Sequence, residues 1–553
     1  MTQVAITAAT AASQDDSYGP GSRRAWIAVF GGLIGAFMAI LDIQITNASM
    51  KEIQGSLGAT LEEGSWISTA YLVAEMIAIP LSGWLSTGLS VRRYLLWNAL
   101  AFIVASLLCS FAWNLEAMIA FRALQGFFGG ALIPLAFRLI LECLPTEKRA
   151  VGMALFGVTA TFAPSIGPTL GGWLTEHLSW HYLFYINLPP GLVVMAMLAY
   201  GLEKKPILWD KLSNADYSGI VTMALGMGCL EVVLEEGNRK DWFGSDLIRN
   251  LAIIAAINIC LFIWIQLRKS APLVNLRLLG QRDFAISTLA YFLLGAALFG
   301  AIYMIPLFLS QLHDYSPLEI GEVIMWMGFP QLLVLPLVPR LMQKVDGRYL
   351  AAFGFAMLAL SYYMNSHMTM DYAGPQMIAS QVVRALGQPF IMVPIGILAT
   401  MHLKPEQTPS ASTVLNVVRN LGGAFGIALV ATLTDNLSRM HLAHIKETVP
   451  AVSAGAYEAL NANAALLQAA GSDPVTASAQ AKALLAQTMT QQAMYRPTTM
   501  CFLSWAACWF SPWWPCCLSV RRHLRRNPKH FLHTLWPAPL RAFFCAGFQT
   551  GVG

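Results

Sequence analysis

Asp42, Glu75, Arg122, Arg138, Arg384 and Arg419 all sit inside long apolar runs of this 553-residue chain. An ionisable side chain at the centre of a bilayer costs about 2.5–3.5 kcal/mol on insertion scales, so each one needs a reason. A carboxyl removed from water holds its proton more tightly, and a neighbouring cation loosens it. A buried carboxylate that exchanges an arginine partner for a cationic substrate would therefore release its proton on binding. Asp42 and Glu75 are the candidate carboxylates for such exchange, with Arg122 and Arg384 as candidate partners. The bland alternatives are a structural ion pair for Asp42 and Arg122, a cavity-lining polar group for Glu75, and packing for Arg384. Arg138 and Arg419 read as snorkelling or packing anchors, and Glu231, Glu235 and Glu236 as a solvated rim.

The rest of the chain decides what must hold these groups. Hydrophobic residues make up 56% and charged residues 12%, with a mean hydropathy of +0.55. A soluble domain carries roughly 25% charged residues, so this composition excludes a water-soluble globule, a disordered chain and a nucleic-acid binder. A phosphate-binding Gly-x-x-x-x-Gly-Lys-Ser/Thr loop is absent, and the scattered histidines and the isolated Cys109, Cys143, Cys229 and Cys260 form no metal-ligand pattern. We expect a polytopic membrane protein, no enzyme, and no cofactor or metal.

A crossing helix needs about 20 mostly apolar residues. That ruler gives spans near 25–47, 65–85, 94–113, 117–140, 151–174, 183–202, 215–234, 249–267, 284–308, 319–342, 349–366, 375–400, 411–434 and 499–518, fourteen in all. The run from Ala25 is too long for a signal segment and reads as the first span. Up to Tyr495, seventeen Lys or Arg of the loops then fall on the side of the N-terminus against seven on the other, so both termini are expected in the cytoplasm. The aromatic stretch from Ser179 to Pro190 is expected to lie at the membrane interface as a cap.

The fifth span carries Ala163-Pro164-Ser165-Ile166-Gly167-Pro168-Thr169-Leu170-Gly171-Gly172-Trp173. Glycines let helices approach closely, and Pro164 and Pro168 remove backbone donors and predict a kink. Such a helix suits an interface that must rock, although a kinked packing helix without a transport role would read the same.

With Leu41-Asp42-Ile43-Gln44-Ile45-Thr46-Asn47-Ala48, Arg122-Ala123-Leu124-Gln125-Gly126-Phe127-Phe128-Gly129-Gly130 and Trp180-His181-Tyr182-Leu183-Phe184-Tyr185-Ile186-Asn187-Leu188-Pro189, this run resembles the major facilitator superfamily, specifically its fourteen-span drug:proton antiporters of the EmrB/QacA type. The resemblance covers about residues 25 to 495. It implies an all-α membrane protein: two six-helix halves plus two extra central helices, with Pro164, Gly167, Pro168, Gly171 and Gly172 as a hinge between the halves. The implied parts are an N-terminal tail (1–24), a first half (25–202), two linking helices (203–268), five helices of the second half (269–434), a long loop (435–495) and a last span with its tail (496–553). It also implies a cytoplasmic latch at Gly83, Arg92 and Arg93, although Thr87 stands where the family has Asp and Ser90 where it has a second Gly. Lys344-Val345-Asp346-Gly347-Arg348 echoes the latch in the second half, so Asp346 and Arg348 are expected to carry more of it.

The function implied is proton-driven efflux of amphipathic toxic compounds across an inner membrane. A proton-coupled symporter or facilitator of a small metabolite, or a non-transporting sensor, are the alternatives. The partners implied are protons, the lipid bilayer and a small amphipathic substrate, with no nucleic acid. Residues 435–495 show helical apolar spacing at Leu460, Leu466, Leu467, Leu484 and Leu485 and read as a solvent-side helical hairpin. Similar exporters with a long loop there work with a periplasmic adaptor and an outer-membrane channel. From Arg496 the composition turns to Cys, Trp and Arg with no acidic residue. That reads as a frameshifted end, or as a divergent last span with a basic tail.

Overall fold

The computed structural model describes residues 19–213, 216–270, 272–369, 372–448 and 454–510; the tail after Phe510 lies outside them. All regular structure among the described residues is helical. The first six long helices are α1 (Arg23–Ala48), α2 (Glu62–Leu89), α3 (Val91–Ser110), α4 (Leu115–Cys143), α5 (Thr146–His177) and α6 (Tyr182–Gly201). Then come α7 (Tyr217–Glu236), α8 (Asp246–Arg268) and α9 (Arg282–Leu312). Their starts are set by polar caps that satisfy otherwise orphaned N–H groups. Ser22 Oγ accepts from Ala25 N at 3.2 Å, Asn114 Oδ1 accepts from Ala117 N at 2.8 Å, and Thr60 with Glu63 forms a reciprocal box at the head of α2.

One expectation is corrected here. The tenth span is a broken run, α10, made of Pro317–Ile324, the tight turn Met325–Met327, Phe329–Val334 and Leu337–Met342. Pro330 and Pro336 remove backbone donors and Gly328 favours no helix, so one straight rod cannot form. The fifth span, by contrast, is one continuous helix through both prolines.

The remaining helices are α11 (Gly347–Ser366), α12 (Gly374–Gly387 running into Pro389–Thr400), α13 (Thr408–Thr448), α14 (Ala454–Ala469) and α15 (Pro474–Phe510). Eleven helices among the described residues are long and apolar enough to cross a membrane. The exceptions among the expected spans are α10, which is broken, α11, which carries Ser361, Asn365 and Ser366, and α15. The expected span 499–518 runs past the described residues. In α15 Ala477 and Ala481 are buried, while Leu466 of α14 is 69% exposed and Leu484 of α15 47% exposed. Of the leucines expected to pack the hairpin, Leu460, Leu467 and Leu485 are half-buried, and Leu466 and Leu484 point outward.

Packing sorts the helices by depth. Within α4, 83% of the most apolar window is buried, against 17% in α8. The exposed face of α8, with Ile253, Ile257, Leu261 and Trp264, is as apolar as a core and suits lipid. Helix α4 is the hub of the first half, and glycines bring α2 onto it: a Cβ at Gly130 would lie 2.8 Å from Glu75 Cα. Helix α7 is stitched between the halves. Thr69 Oγ1 of α2 donates to Glu236 Oε1 at 2.8 Å, and Trp242 Nε1 just beyond α7 donates to Thr432 Oγ1 of α13 at 3.1 Å.

Candidate functional site

Two groups of buried charge lie against α2, one beside Tyr71 and the other at Glu75, one helical turn further on. The first is the Asp42 cluster. Arg122 Nη1 donates to Asp42 Oδ2 at 2.6 Å, and both side chains are fully enclosed. Gln125 Nε2 (2.8 Å) and Asn187 Nδ2 (2.6 Å) donate to Asp42 Oδ1, and Arg122 Nη1 also reaches Gln125 Oε1 at 2.8 Å. The guanidinium lies 4.3 Å from the Tyr71 ring centroid, a cation–π distance that helps hold the charge. Asn187 also donates to Ser106 Oγ at 3.0 Å, tying α1, α3, α4 and the first turns of α6 into one network. The segment 179–190 buries one face, Leu183, Phe184 and Asn187, and completes this network.

The second group faces a cavity of about 110 Å³. Glu75 accepts a hydrogen bond from Asn420 Nδ2 of α13 at 3.0 Å, so a carboxylate of the first half is held by the second. Arg419, next in the chain, lines the same cavity, as do Glu231 and Glu235 of α7. Most of the remaining wall is apolar, with Ile40, Ile43, Met76, Phe299 and Met392 among it. Glu231 is 4% exposed. Of the solvated rim expected at Glu231, Glu235 and Glu236, the first two are thus an inner wall and Glu236 is buried against Thr69, because α7 docks between α2 and α13 instead of standing at the periphery. Arg419, Asn420 and Glu231 were missed as site residues. Their sequence signal was only an ionisable or amide group within an apolar run.

Asp42 and Arg122 are not on this cavity; Ile43 and Gln44, the next residues of α1, are. Arg384 also lies elsewhere. It is fully buried with Nη1 3.9 Å from Met327 Sδ and its guanidinium 5.1 Å from the Tyr362 ring centroid.

The hinge residues divide between two neighbours. A Cβ at Gly167 would meet Gln44, and one at Gly171 would lie 2.8 Å from the Ile45 carbonyl oxygen, both on α1 within the same half. A Cβ at Gly172 would lie 2.9 Å from Leu318 N of α10, in the other half. Pro164 is buried and Pro168 half-buried in the continuous helix. Replacing Gly172 by Leu is expected to wedge the halves apart. Overpacking typically costs 1–3 kcal/mol, so efflux should fall at least tenfold while insertion is retained; transport at the original rate would show that this contact does not move.

Of the latch, Gly83 makes the contact between halves: a Cβ there would lie 2.8 Å from Thr413 Oγ1 of α13. Arg92 donates to the Ala199 carbonyl within its own half, and Arg93 is exposed. Asp346 Oδ1 accepts from Arg348 N at 3.0 Å, and Arg348 sits 4.0 Å from Asp283, all within the second half. At the place of the missing family Asp, Arg138 Nη1 donates to Ser86 Oγ at 2.7 Å and to Thr87 Oγ1 at 3.3 Å. Ser90 takes φ +71°, a conformation that favours the glycine it replaces.

The Major Facilitator Superfamily profile matches residues 32–427 and again 287–548. The chain belongs to the major facilitator superfamily. It is 35% identical to the colistin resistance protein EmrB of Acinetobacter baumannii over 77% of this chain and 84% of that protein. It is 32% identical to the multidrug export protein EmrB of Escherichia coli K12, over 75% and 81%, and 31% identical to the fatty acid resistance protein FarB of Neisseria gonorrhoeae, over 79% and 86%. The human organic anion transporter MFSD10 shares the fold, with a TM-score of 0.56 at 13% identity over 89% of this chain and 99% of that one. Within the superfamily the chain is of the EmrB/QacA type: a multi-pass membrane protein and multidrug efflux transporter, not an enzyme.

Proposed function

We propose that this transporter exchanges protons for amphipathic drugs, with Glu75 as the group that trades one for the other. The observation that carries the reading is Glu75 itself, a carboxylate on the central cavity, bonded across the two halves to Asn420 and beside Arg419. A cation entering the cavity competes with the proton for Glu75, so one leaves as the other binds. Desolvation strengthens that competition, since most of the cavity wall is apolar. The Asp42–Arg122 network keeps its charges neutralised inside the first half and holds α1 and α4 in register as the halves rock. Arg384 is assigned packing in the second half and no step in coupling.

The reading includes fourteen spans, an inner-membrane location and both termini in the cytoplasm, supported by the basic residues of the loops on the N-terminal side. Expressed in an efflux-deficient strain, the protein is expected to confer drug resistance that a protonophore removes. Resistance that survives collapse of the proton gradient would overturn proton coupling, and substrate uptake in place of export would favour the symporter alternative.

The α14–α15 hairpin supports a periplasmic adaptor and an outer-membrane channel as partners. Tyr457, Leu466, Val475 and Leu484 are exposed on it, a surface that solvent alone does not explain. Deleting residues 446–490 and joining the ends with a Gly/Ser linker is expected to leave substrate binding intact but to abolish resistance in cells. Unchanged resistance would mean that the hairpin docks nothing of consequence.

A further inference from the structure

The inserted helix α7 brings into the cavity a group that the coupling reading leaves unused. Glu231 is 4% exposed and lines the cavity, yet its Oε2 has no hydrogen-bond partner. On the same wall Arg419 is buried with its Nε–H unpartnered. A buried carboxylate oxygen without a donor is costly, and a helix could avoid the cost with any aliphatic residue at that position. Asn420 already occupies Glu75, which leaves Glu231 as an open acceptor. The position is held firmly, because Thr69 and Trp242 tie the end of α7 to α2 and α13.

We propose that Glu231 is a specificity residue that accepts a hydrogen bond from an N–H of a cationic substrate, so that the site prefers protonated amines to quaternary ammonium ions of the same size. A quaternary nitrogen meets Glu231 only as a diffuse charge, whereas a protonated amine adds a charge-assisted hydrogen bond, the stronger class of polar contact. The two extra helices of this chain thereby form a wall of the binding site as well as a lipid-facing surface. This inference rests on the cavity being the substrate site.

The test uses a minimal pair of probes, the 4-phenylbutyl dimethylammonium and trimethylammonium ions, which differ by one N–H against one methyl. Their binding to the full chain in nanodiscs is measured by titration calorimetry at pH 7, where both are cationic. The wild type is expected to bind the dimethyl ion at least tenfold more tightly, and Glu231→Leu is expected to bring the two affinities within about twofold. Leucine removes an unpartnered buried carboxyl group, so the variant should insert and fold. Glu231→Asp, which restores an acceptor, should recover part of the preference. A wild type that binds both ions equally, or a preference that survives in Glu231→Leu, would overturn the proposal. Binding of neither ion by the wild type would remove the underlying reading of the cavity as well.

Discussion

Asp42→Asn is expected to abolish energised efflux, a loss of at least a hundredfold. The substitution leaves shape almost unchanged, so the effect is one of charge. Three donors converge on the Asp42 carboxylate: Arg122 at 2.6 Å on one oxygen, Gln125 and Asn187 on the other. An asparagine offers a single acceptor oxygen and turns an NH₂ toward one of these donors, so Arg122 is left as a buried charge without a counter-ion. Breaking a buried pair by removing one partner typically costs 3–5 kcal/mol, which makes folded protein in detergent a necessary parallel readout. Asp42→Glu keeps the charge, displaces it by a methylene and should retain partial transport. Full resistance from Asp42→Asn would show that the network contributes nothing to transport.

Glu75→Gln is the second large effect, and it differs in kind. The glutamine can still accept from Asn420, and neither the Asp42 pair nor the glycine contact of α2 with α4 is touched, so folding should be close to unchanged. What disappears is the exchangeable proton and the negative charge. Export of cationic substrates is expected to fall by at least a hundredfold and that of neutral ones by much less, because only the cations interact with the lost charge. Equal loss for both classes would point to damage in packing instead.

The contrast between these two carboxylates shows what the sequence could convey. Both stood out as ionisable residues in apolar runs, and Arg122 stood out as the partner of Asp42, because motif order and span length are local properties of the chain. Which carboxylate faces the cavity is not local. It depends on the rotation of α1, which turns Asp42 inward to α4 and presents Ile43 and Gln44 to the cavity. The same holds for Glu231, whose depth depends on where α7 docks and not on its distance from the end of the helix. Asn187 escaped notice because an aromatic segment reads as interfacial until it is seen folded against α3. The break in α10 was legible in Pro330 and Pro336, and a hydropathy ruler overlooks it because proline costs little in average hydropathy. In the hairpin, leucine spacing suggested a packed face, which Leu460, Leu467 and Leu485 meet in part and Leu466 and Leu484 do not.

Proton release on substrate binding tests the central claim most directly. Purified wild-type protein in weakly buffered detergent, mixed with a cationic substrate near neutral pH, is predicted to acidify the medium by up to one proton per substrate bound, and Glu75→Gln to release none. Binding of the cation without acidification by the wild type, or undiminished release from Glu75→Gln, would contradict the assignment of Glu75 as the group that exchanges a proton for the drug.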